Sequence, residues 1–301
     1  MSTTVAVGMF DGVHLGHQRI LARAVSIARE RNARCVVLSF DPHPDVVLSP
    51  RFAAMAPLTP LPEKRERLES LGADELEVLP FTRELASLTP EQFVERSLVA
   101  HHQPVALVVG EDFALGRGRA GNVPRLTQIG AARGFEVVPV PLLELDGAPV
   151  TSTRIRALLG AGRVADAARL LGRRYGLAGT VVRGDAIGRT LGFPTANLRL
   201  HEEKVVPADG IYAVWARSAG ERDWRAAAMS VGVRPTFGGQ VRTLEVHVID
   251  WQGDLLGSSL EVEFAEWLRP ERRFETREAL VAAMEEDVAE TRRRLGSGQP
   301  A

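Results

Sequence analysis

Cysteine is almost absent from this chain, since Cys35 is the only one among 301 residues. A single cysteine can form neither an intrachain disulfide nor a thiolate metal cluster. It lies in an apolar run that ends at Leu38, where we expect a buried structural side chain. The sequence therefore excludes any fold that depends on either kind of cross-link.

Long apolar runs are also absent, and no stretch approaches the length that crosses a bilayer. The start of the chain lacks a basic region followed by a long apolar one, so we expect no signal peptide. Hydrophobic residues make up 45% and charged residues 25% of the chain, which is ordinary for a globular protein. These observations predict a cytoplasmic protein without a membrane partner, long enough for two domains.

A strong excess of charge of either sign is missing, because the formal net charge is −1. General nucleic-acid binding usually needs a basic excess, so we expect no nucleic-acid partner. Lysine is scarce, with Lys64 and Lys204 the only two, and arginine supplies nearly all of the positive charge. We attribute this mainly to compositional bias, although arginine also suits bidentate contacts to phosphate.

The most informative stretch is GMFDGVHLGH, from Gly8 to His17, which follows an apolar run with the character of a strand. A helical pattern comes next, so the turn brings His14, His17 and the first free N–H groups of a helix to one point. Such N–H groups and the positive end of the helix dipole attract phosphate. The glycines let the backbone approach a bulky polyanion. The stretch predicts a phosphate site, and the alternative is a helix start with two exposed histidines.

The HxGH part of this stretch resembles the signature of nucleotidylyltransferases, which transfer a nucleoside monophosphate from a nucleoside triphosphate to an acceptor. Up to about residue 142, short apolar runs alternate with amphipathic segments, a pattern that predicts a parallel sheet with crossover helices. Such sheets bind ligands beyond the carboxyl ends of their strands, where the HxGH turn lies. The predicted strands are Thr4–Met9, Arg34–Phe40, Glu75–Leu79, Val105–Val109 and Phe135–Val140, and the predicted helices are Arg19–Arg31, Pro62–Leu71, Pro90–Ala100 and Val123–Arg133.

The second half of the chain has a different character. Residues 151–171 have a helical pattern that joins the halves, with Ser152 or Thr153 as a cap and Gly172 as a stop. After Tyr175, short alternating strands broken by glycine and proline predict a small antiparallel barrel. Examples of the predicted strands are Gly179–Val182, Gly210–Arg217, Thr243–Ile249 and Leu260–Phe264. A last helix, about Thr276–Leu295, carries Leu280, Met284, Val288 and Leu295 near one face.

A second motif, GDAIGRTLGFPTAN, runs from Gly184 to Asn197 and combines a glycine-rich turn, an arginine and a Pro-Thr-Ala-Asn end. Thr195 and Asn197 lie two residues apart in an extended segment, so their side chains face the same side. Their oxygens are hard ligands, suited to Mg²⁺ that also holds ATP phosphates. The alternative is an ordinary barrel hairpin with a Pro-Thr turn.

Eight short motifs occur in order along the chain. They are GMFDGVHLGH, FDPHP (Phe40–Pro44), VGEDFALG (Val109–Gly116), TSTRIR (Thr151–Arg156), GDAIGRTLGFPTAN, RPTF (Arg234–Phe237), LEVHVID (Leu244–Asp250) and GDLLG (Gly253–Gly257). Together they resemble the bifunctional bacterial riboflavin kinase/FMN adenylyltransferases, also called FAD synthetases. The resemblance covers nearly the whole chain.

The resemblance implies a Rossmann-like nucleotidylyltransferase α/β domain with a parallel sheet at residues 1–172. It implies a riboflavin-kinase-type antiparallel β-barrel with a terminal helix at residues 173–301. The second domain would phosphorylate riboflavin with ATP and Mg²⁺ to give FMN, and the first would transfer AMP from ATP to FMN, giving FAD and pyrophosphate. Riboflavin, FMN and ATP are then the small-molecule partners, and the sequence leaves open whether the protein is a homo-oligomer.

In the kinase half we predict Glu245 as the general base, because the 5′-hydroxyl of riboflavin stays protonated at neutral pH. Strand alternation sends Glu245 and His247 to one face, and the resemblance also places the family's catalytic glutamate here. A merely solvated strand face is the alternative. Mg²⁺ is assigned to Thr195 and Asn197, and the predicted ATP-binding residues are Gly184, Asp185, Gly188, Arg189, Thr195 and Asn197.

The adenylyltransferase half needs no base, since the phosphate of FMN is already largely ionised, its second pKa being about 6. We predict that His14 and His17 stabilise charge on the ATP phosphates, rather than acting as bases or metal ligands. His43, in FDPHP, either lines the flavin or only shapes a turn, and Asp112 recognises nucleotide or flavin. The predicted ATP-binding residues are Gly8, Phe10, Asp11, His14, His17, Asp112, Ser152, Thr153 and Arg156.

Four positions depart from the family pattern. Thr151 replaces a serine, Leu115 stands where an aromatic residue is common, Leu256 replaces a tyrosine, and Arg174 replaces a proline. The two leucines could weaken stacking on flavin or adenine, so substrate affinities stay open. Other functions also stay open: a monofunctional riboflavin kinase whose first half binds nucleotide without transferring AMP, a non-catalytic flavin sensor, and a cytidylyltransferase acting on another phosphate.

Overall fold

Two units, Met1–Ser152 and Thr153–Ala301, emerge from the internal contacts of the chain. The computed structural model describes residues 2–184, 187–236 and 239–296. Within these ranges, each unit has its own sheet and its own buried core. No helix in the same ranges is long and apolar enough to cross a membrane.

The first unit contains a parallel β-sheet flanked by helices. Its strands are β1 (Thr3–Val7), β2 (Arg34–Asp41), β3 (Glu75–Pro80), β4 (Pro104–Gly110) and β5 (Glu136–Val140). Its longer helices are α1 (Leu15–Glu30), α2 (Leu61–Ser70) and α3 (Val123–Arg133). Shorter elements are the helical segments Pro44–Leu48, Pro50–Phe52, Arg83–Ser87, Pro90–Phe93, Val94–Val99 and Arg117–Arg119, and two small ladders, Ala114–Leu115 with Gly121–Asn122 and Glu144–Leu145 with Ala148–Pro149.

The strand order is β3-β2-β1-β4-β5, so the sheet grows outward from β1 in one direction and from β4 in the other. Val5 of β1 lies opposite Val36 of β2 and Leu107 of β4. The order reverses between β1 and β4, and parallel sheets bind ligands beyond the strand ends at such a point. The turn that carries His14 begins at that end of β1.

Both faces of this sheet are covered, so β1 is buried at every position and β2 at every position except its two end residues. Leu21 and Ile27 of α1 and Leu68 of α2 pack against one face. Phe93 and Leu126 pack against the other. The predicted α/β fold with a parallel sheet is confirmed, and the strand ends lie within two residues of the predicted ones.

The second unit is a closed antiparallel barrel followed by a long helix. It opens with α4 (Ser152–Gly160), whose first residue ends the first unit, and α5 (Val164–Leu171). The barrel strands are β6 (Tyr175–Val182), β7 (Ala196–Leu200), β8 (Gly210–Ser218), β9 (Arg225–Thr236), β10 (Gly239–Val248) and β11 (Ser259–Arg269), with the short helix Ile187–Thr190 between β6 and β7, and the last helix is α6 (Arg277–Leu295). The order around the barrel is β6-β7-β10-β9-β8-β11.

Three predictions about helices need correction. The pattern over residues 151–171 forms α4 and α5 rather than one helix, because the chain turns at Gly162, which has a φ of +73°. Helix α1 begins at Leu15 rather than Arg19, because the His14 side chain caps its first turn. The predicted helix after Pro90 changes to π-helical hydrogen bonding at Val94. Thr276 caps the last helix, as its position at the predicted start suggests.

Candidate active sites

The turn between β1 and α1 is tightly wound. Phe10, Gly12 and Val13 all have left-handed backbone conformations, with φ values of 49°, 87° and 42°. Such a conformation costs a residue other than glycine about 1–3 kcal/mol, and it persists only where the surroundings impose it. The structure therefore has to hold this turn from outside.

Hydrogen bonds from within the turn, from the following helix and from distant segments hold the turn. The Asp11 carboxylate accepts hydrogen bonds from the backbone N–H of Leu58 at 2.9 Å and of Thr59 at 3.1 Å. The Ser152 hydroxyl donates to the Asp11 carbonyl at 2.8 Å, and the Gln18 amide donates to the Val13 carbonyl at 2.9 Å. Ser152 lies inside the first turn of α4, so its hydroxyl serves the HxGH turn and not a helix cap.

Phe10 and Asp11 direct their side chains into the protein. Phe10 is 0% exposed, its ring lies 5.2 Å from the His17 ring, and Asp11 is 2% exposed. A Cβ at Gly8 would lie 3.2 Å from the Phe10 ring, so Gly8 allows this packing. The geometry gives these residues the task of shaping the turn.

His14 and His17 form a stacked pair at the N-terminus of α1. Their ring centroids lie 3.6 Å apart with an interplanar angle of 17°, and His14 Nδ1 accepts the His17 backbone N–H at 3.3 Å. The first turn of α1 contains no acidic residue that would repel an anion. Within the described ranges, the buried Nδ1 of His17 has no hydrogen-bond partner. An unpaired buried nitrogen is costly until a ligand pairs it, which points to a bound group at this position.

Burial lowers the pKa of His17 well below its ordinary value of 6.5, and the positive charges of His14 and Lys64 lower it further. His17 is therefore neutral near pH 7 in the free protein. A neutral imidazole can still donate one hydrogen bond to a phosphate oxygen.

We expect the first unit to lose stability as the pH falls through about 6.5, because the unfolded chain takes up a proton at His17 that the folded chain does not. Stability continues to fall until the pH reaches the lower pKa that His17 has in the folded protein. In His17→Gln, the slope of the unfolding free energy against pH should be smaller by up to about the contribution of one bound proton. Urea unfolding between about pH 7.5 and pH 5.5 tests this, and an unchanged slope in the variant would contradict it.

The chain supplies a separate probe for each unit. Cys35 lies in β2, is 1% exposed, and burial raises the pKa of its thiol to about 12, so it reacts with thiol reagents only on unfolding. The tryptophans Trp215, Trp224, Trp251 and Trp267 all lie in the second unit. Labelling of Cys35 with dithiodipyridine therefore reports the first unit, and tryptophan fluorescence reports the second.

The remaining predicted residues of the first unit lie after neighbouring strands of the sheet. Asp112 follows β4, is exposed, and has its carboxylate beside Gly110. His43 follows β2, where its Nδ1 accepts the Asp45 backbone N–H at 3.1 Å and so caps the segment Pro44–Leu48. Carboxyl ends of neighbouring parallel strands share one edge of a sheet, so these residues lie on the same edge as the HxGH turn.

Thr153 and Arg156 belong to α4 in the second unit. Ser152, Thr153 and Arg156 lie within one helical turn, and positions three and four apart on a helix share a face. These three residues therefore lie close together at the start of α4.

The second cluster of predicted residues lies on the barrel. The Thr195 hydroxyl donates to the Glu245 carboxylate at 3.3 Å. Asn197 of β7 is the direct cross-strand partner of Glu245 in β10. Leu244, Val246 and Val248 are buried while Glu245 and His247 are half-buried, so the predicted alternation is confirmed. Thr195, Asn197 and Glu245, distant in sequence, thus meet on one outer face of the barrel.

The glycine-rich turn approaches this cluster closely. A Cβ at Gly184 would overlap the Asn197 amide, and a Cβ at Gly188 would overlap the Phe193 carbonyl. Asp185 lies outside the described residues, as does the side chain of Arg189. The Gly184 backbone therefore lies directly against one of the predicted magnesium ligands.

We expect Gly184→Ala to lower activity at the barrel site by roughly 10- to 100-fold, because the methyl group must displace the Asn197 amide and misplacement of a positioning group costs on this scale. Gly160→Ala is the matched control, since a Cβ there would meet no described atom within 4 Å. Equal activity of the two purified variants would contradict the prediction.

Two sequence-family models match the chain in succession. The one described as FAD synthetase matches residues 1–154, and the one described as riboflavin kinase matches residues 171–295. The chain is 38% identical over 293 residues to the bifunctional riboflavin kinase/FMN adenylyltransferase of Listeria monocytogenes, covering 97% of this chain and 92% of the relative. The chain belongs to the bifunctional riboflavin kinase/FMN adenylyltransferase family.

Other members of this family are similar along their whole length. The protein of that name from Escherichia coli is 36% identical over 297 residues, with 99% of this chain and 94% of the relative covered. The one from Pseudomonas fluorescens is 40% identical over 287 residues, with coverage of 95% and 91%. A crystal structure described as a macrolide-efflux protein from Streptococcus pneumoniae has a TM-score of 0.90 at 32% identity and covers 97% of this chain and 94% of its own. That likeness supports the fold, and the efflux in its description concerns that protein.

The departures from the pattern of riboflavin kinase/FMN adenylyltransferases fall in different surroundings. Leu115 is 6% exposed and packs in the core of the first unit, where a Cβ at Gly121 would lie 2.9 Å from its side chain. Leu256 is 51% exposed on the second unit. The Leu115 side chain therefore contributes to the core, whereas Leu256 is accessible to a ligand.

No role was assigned from the sequence to two residues that support the barrel site, His247 and Arg277. His247 Nδ1 lies 2.9 Å from the Pro194 carbonyl, and its ring packs on Phe193, which fixes the segment before Thr195. The Arg277 guanidinium donates to the Thr190 carbonyl at 2.5 Å. The alternation of Glu245 and His247 on β10 was a usable signal for His247, whereas no local pattern indicates that Arg277 reaches Thr190.

Proposed function

We propose that this chain makes FAD from riboflavin in two steps at two separate sites. The second unit phosphorylates riboflavin with ATP to give FMN, and the first transfers AMP from ATP to FMN, giving FAD and pyrophosphate. The single observation that carries this assignment is the presence of both sites on one chain: the stacked histidines at a helix N-terminus and the Thr195–Glu245 cluster on the barrel.

Incubation of the pure protein with riboflavin, ATP and Mg²⁺, followed by chromatography of the flavins, tests the proposal. FMN followed by FAD supports it. FMN alone would select a monofunctional riboflavin kinase, and unchanged riboflavin would select a non-catalytic flavin-binding protein. Supplying FMN in place of riboflavin tests the first unit without depending on the second.

In the kinase unit, Glu245 removes the proton from the 5′-hydroxyl of riboflavin as that oxygen attacks the γ-phosphorus of ATP. The bond from this phosphorus to the β,γ-bridging oxygen breaks, and ADP leaves. Its hydrogen bond from Thr195 orients the carboxylate. Gly184, Asp185, Gly188 and Arg189 hold the ATP phosphates. Alignment of the two substrates supplies much of the rate enhancement.

The donor set at this site suits magnesium. The described ranges hold no cluster of three or more His, Cys, Asp or Glu residues that could bind a metal by themselves. The Thr195 hydroxyl and the Asn197 amide supply hard neutral oxygens, and Gly184, where a Cβ would overlap the Asn197 amide, lets the backbone lie directly against that amide. Mg²⁺ held by these two residues and the ATP phosphates would neutralise phosphate charge and polarise the γ-phosphoryl group.

In the adenylyltransferase unit, the ionised phosphate of FMN attacks the α-phosphorus of ATP without a general base. His14 and His17 donate hydrogen bonds to the triphosphate and stabilise the charge that builds on pyrophosphate as it leaves. Ser152, Thr153 and Arg156 contribute hydroxyl and guanidinium donors to the same triphosphate. Gly8, Phe10 and Asp11 act by shaping the turn, as their burial and hydrogen bonds support.

Asp112 and His43 complete the assignment at the strand ends of the first unit. Asp112 is exposed and recognises nucleotide or flavin. His43 shapes the loop after β2 and borders the flavin. For the functional halves we propose residues 1–172 and 173–301, because Gly172 ends α5 in a left-handed conformation and Tyr175 begins the barrel. A cytoplasmic location fits the use of ATP in both reactions.

A further inference from the structure

Lys64 is a buried cation that the two reactions described above do not use. It is 7% exposed and lies on α2, four residues before Leu68, which packs in the core. Residues four apart on a helix share a face, so Lys64 occupies a position on the apolar side of α2. Burying an ammonium group there is unfavourable unless its charge and hydrogen bonds are used.

The Lys64 ammonium reaches the HxGH turn. Its Nζ donates a hydrogen bond to the Met9 carbonyl at 2.9 Å, and the hydroxyl of the fully buried Ser39 donates to the same carbonyl at 3.0 Å. One carbonyl in the turn is thus held by donors from two elements, α2 and β2. Phe10, the residue that follows this carbonyl, has the first of the left-handed conformations.

The charges around Lys64 connect it with the histidine pair. Burial lowers the pKa of Lys64 below its ordinary value, while Asp11 of the turn and Asp41 at the end of β2 favour its charged form. The positive charge of Lys64 in turn acts on His17 and helps to keep that ring neutral. The ammonium is therefore close enough to influence the group that we assign to the triphosphate.

We propose that Lys64 is a positioning residue for AMP transfer: its buried ammonium fixes the Met9 carbonyl and so sets the strained turn that presents His14 and His17. This inference rests on the proposed role of the two histidines. Because the contact between Lys64 and Met9 lies in the first unit, the kinase reaction on the barrel does not depend on it.

The test compares Lys64→Met, which keeps the apolar stem but removes the donor and charge, with Lys64→Arg, which retains both. Arg67→Met is the matched control, because Arg67 lies on the same helix in an ion pair with Glu63. With FMN and ATP as substrates, Lys64→Met should lower kcat by about 10²-fold, the scale set by small misplacements of catalytic groups. Lys64→Arg should recover at least a tenth of the wild-type rate, and Arg67→Met should match the wild type.

A second readout separates positioning from simple loss of stability. In Lys64→Met the pKa of His17, followed by NMR titration, should rise because a nearby positive charge is gone, and the pH profile of kcat should move with it. His14, Asp11 and Asp41 stay in place in this variant. Protection of Cys35 from thiol labelling shows that the first unit remains folded, and riboflavin phosphorylation should be unchanged.

The inference is overturned if folded Lys64→Met keeps the wild-type kcat and pH profile, or if Lys64→Arg loses as much activity as Lys64→Met. If Cys35 becomes reactive in Lys64→Met, the first unit of that variant has unfolded. The activity and the His17 pKa of Lys64→Arg then provide the test. The variant with both His14 and His17 replaced by alanine runs beside these proteins. If that variant still adenylylates FMN, the proposed role of the histidines is contradicted. If it does not, and folded Lys64→Met keeps the wild-type kcat, only the inference about Lys64 is contradicted.

Discussion

Glu245→Gln should lower the rate of riboflavin phosphorylation by roughly 10²–10⁴, the usual scale for loss of a general base. The amide retains the size of the carboxylate and can still accept the hydrogen bond from Thr195, but it cannot take up the hydroxyl proton. The first unit keeps its own residues, so FMN supplied directly should still become FAD. Initial rates measured by chromatography of the flavins give the rate of riboflavin phosphorylation and the rate of AMP transfer for the same purified protein.

Glu261→Gln is the control for that variant. Glu261 also lies on a barrel strand, β11, where it pairs with Arg217 at 2.6 Å, and it has no place in the proposed mechanism. A partly exposed surface ion pair of this kind contributes about 1 kcal/mol or less, so both activities should persist. If Glu245→Gln retains full kinase activity, another group removes the proton; if it also abolishes AMP transfer in a folded protein, the two sites are not independent.

Replacing both His14 and His17 by alanine should produce the opposite pattern. Riboflavin is still converted to FMN, and FMN accumulates because AMP transfer falls by about 10²–10³ or more, the cost of removing donors that stabilise developing charge. The stacked geometry is the reason for a double variant, since either ring alone still offers a donor at the helix N-terminus. Assays with FMN, ATP and Mg²⁺ isolate the affected step.

His101→Ala serves as the control for the histidine pair. His101 is exposed, lies near the opposite, amino-terminal end of β4, and packs against the ring of His102. Its replacement should leave both reactions intact. Cys35 labelling must show a folded first unit in the double variant, and AMP transfer at the wild-type rate in that folded protein is the result that would remove the histidines from the mechanism.

The regular part of the fold could be predicted because its signals are local. Alternation of apolar strands with amphipathic helices marked the strands of the first unit, and α3 was placed with both ends correct. The predicted ranges include no strand at β9, and β7 was predicted only as the extended segment that holds Thr195 and Asn197. β9 contains three successive alanines together with Gly232 and Pro235, residues that favour strands weakly, and it is stabilised by pairing with β8 and β10.

The features of the two sites also fall into those that local sequence predicts and those that depend on tertiary contacts. The sequence alone determined where the HxGH turn lies, that a helix follows it, and that Glu245 shares a strand face with His247, because each statement depends on neighbours within a few residues. Only the tertiary structure decided that Phe10 and Asp11 face inward and that Thr195 meets Glu245, 50 residues away. The same holds for the contact between Lys64 and Met9, 55 residues apart. Burial and such hydrogen bonds depend on which distant segments pack together, and no local pattern encodes that choice.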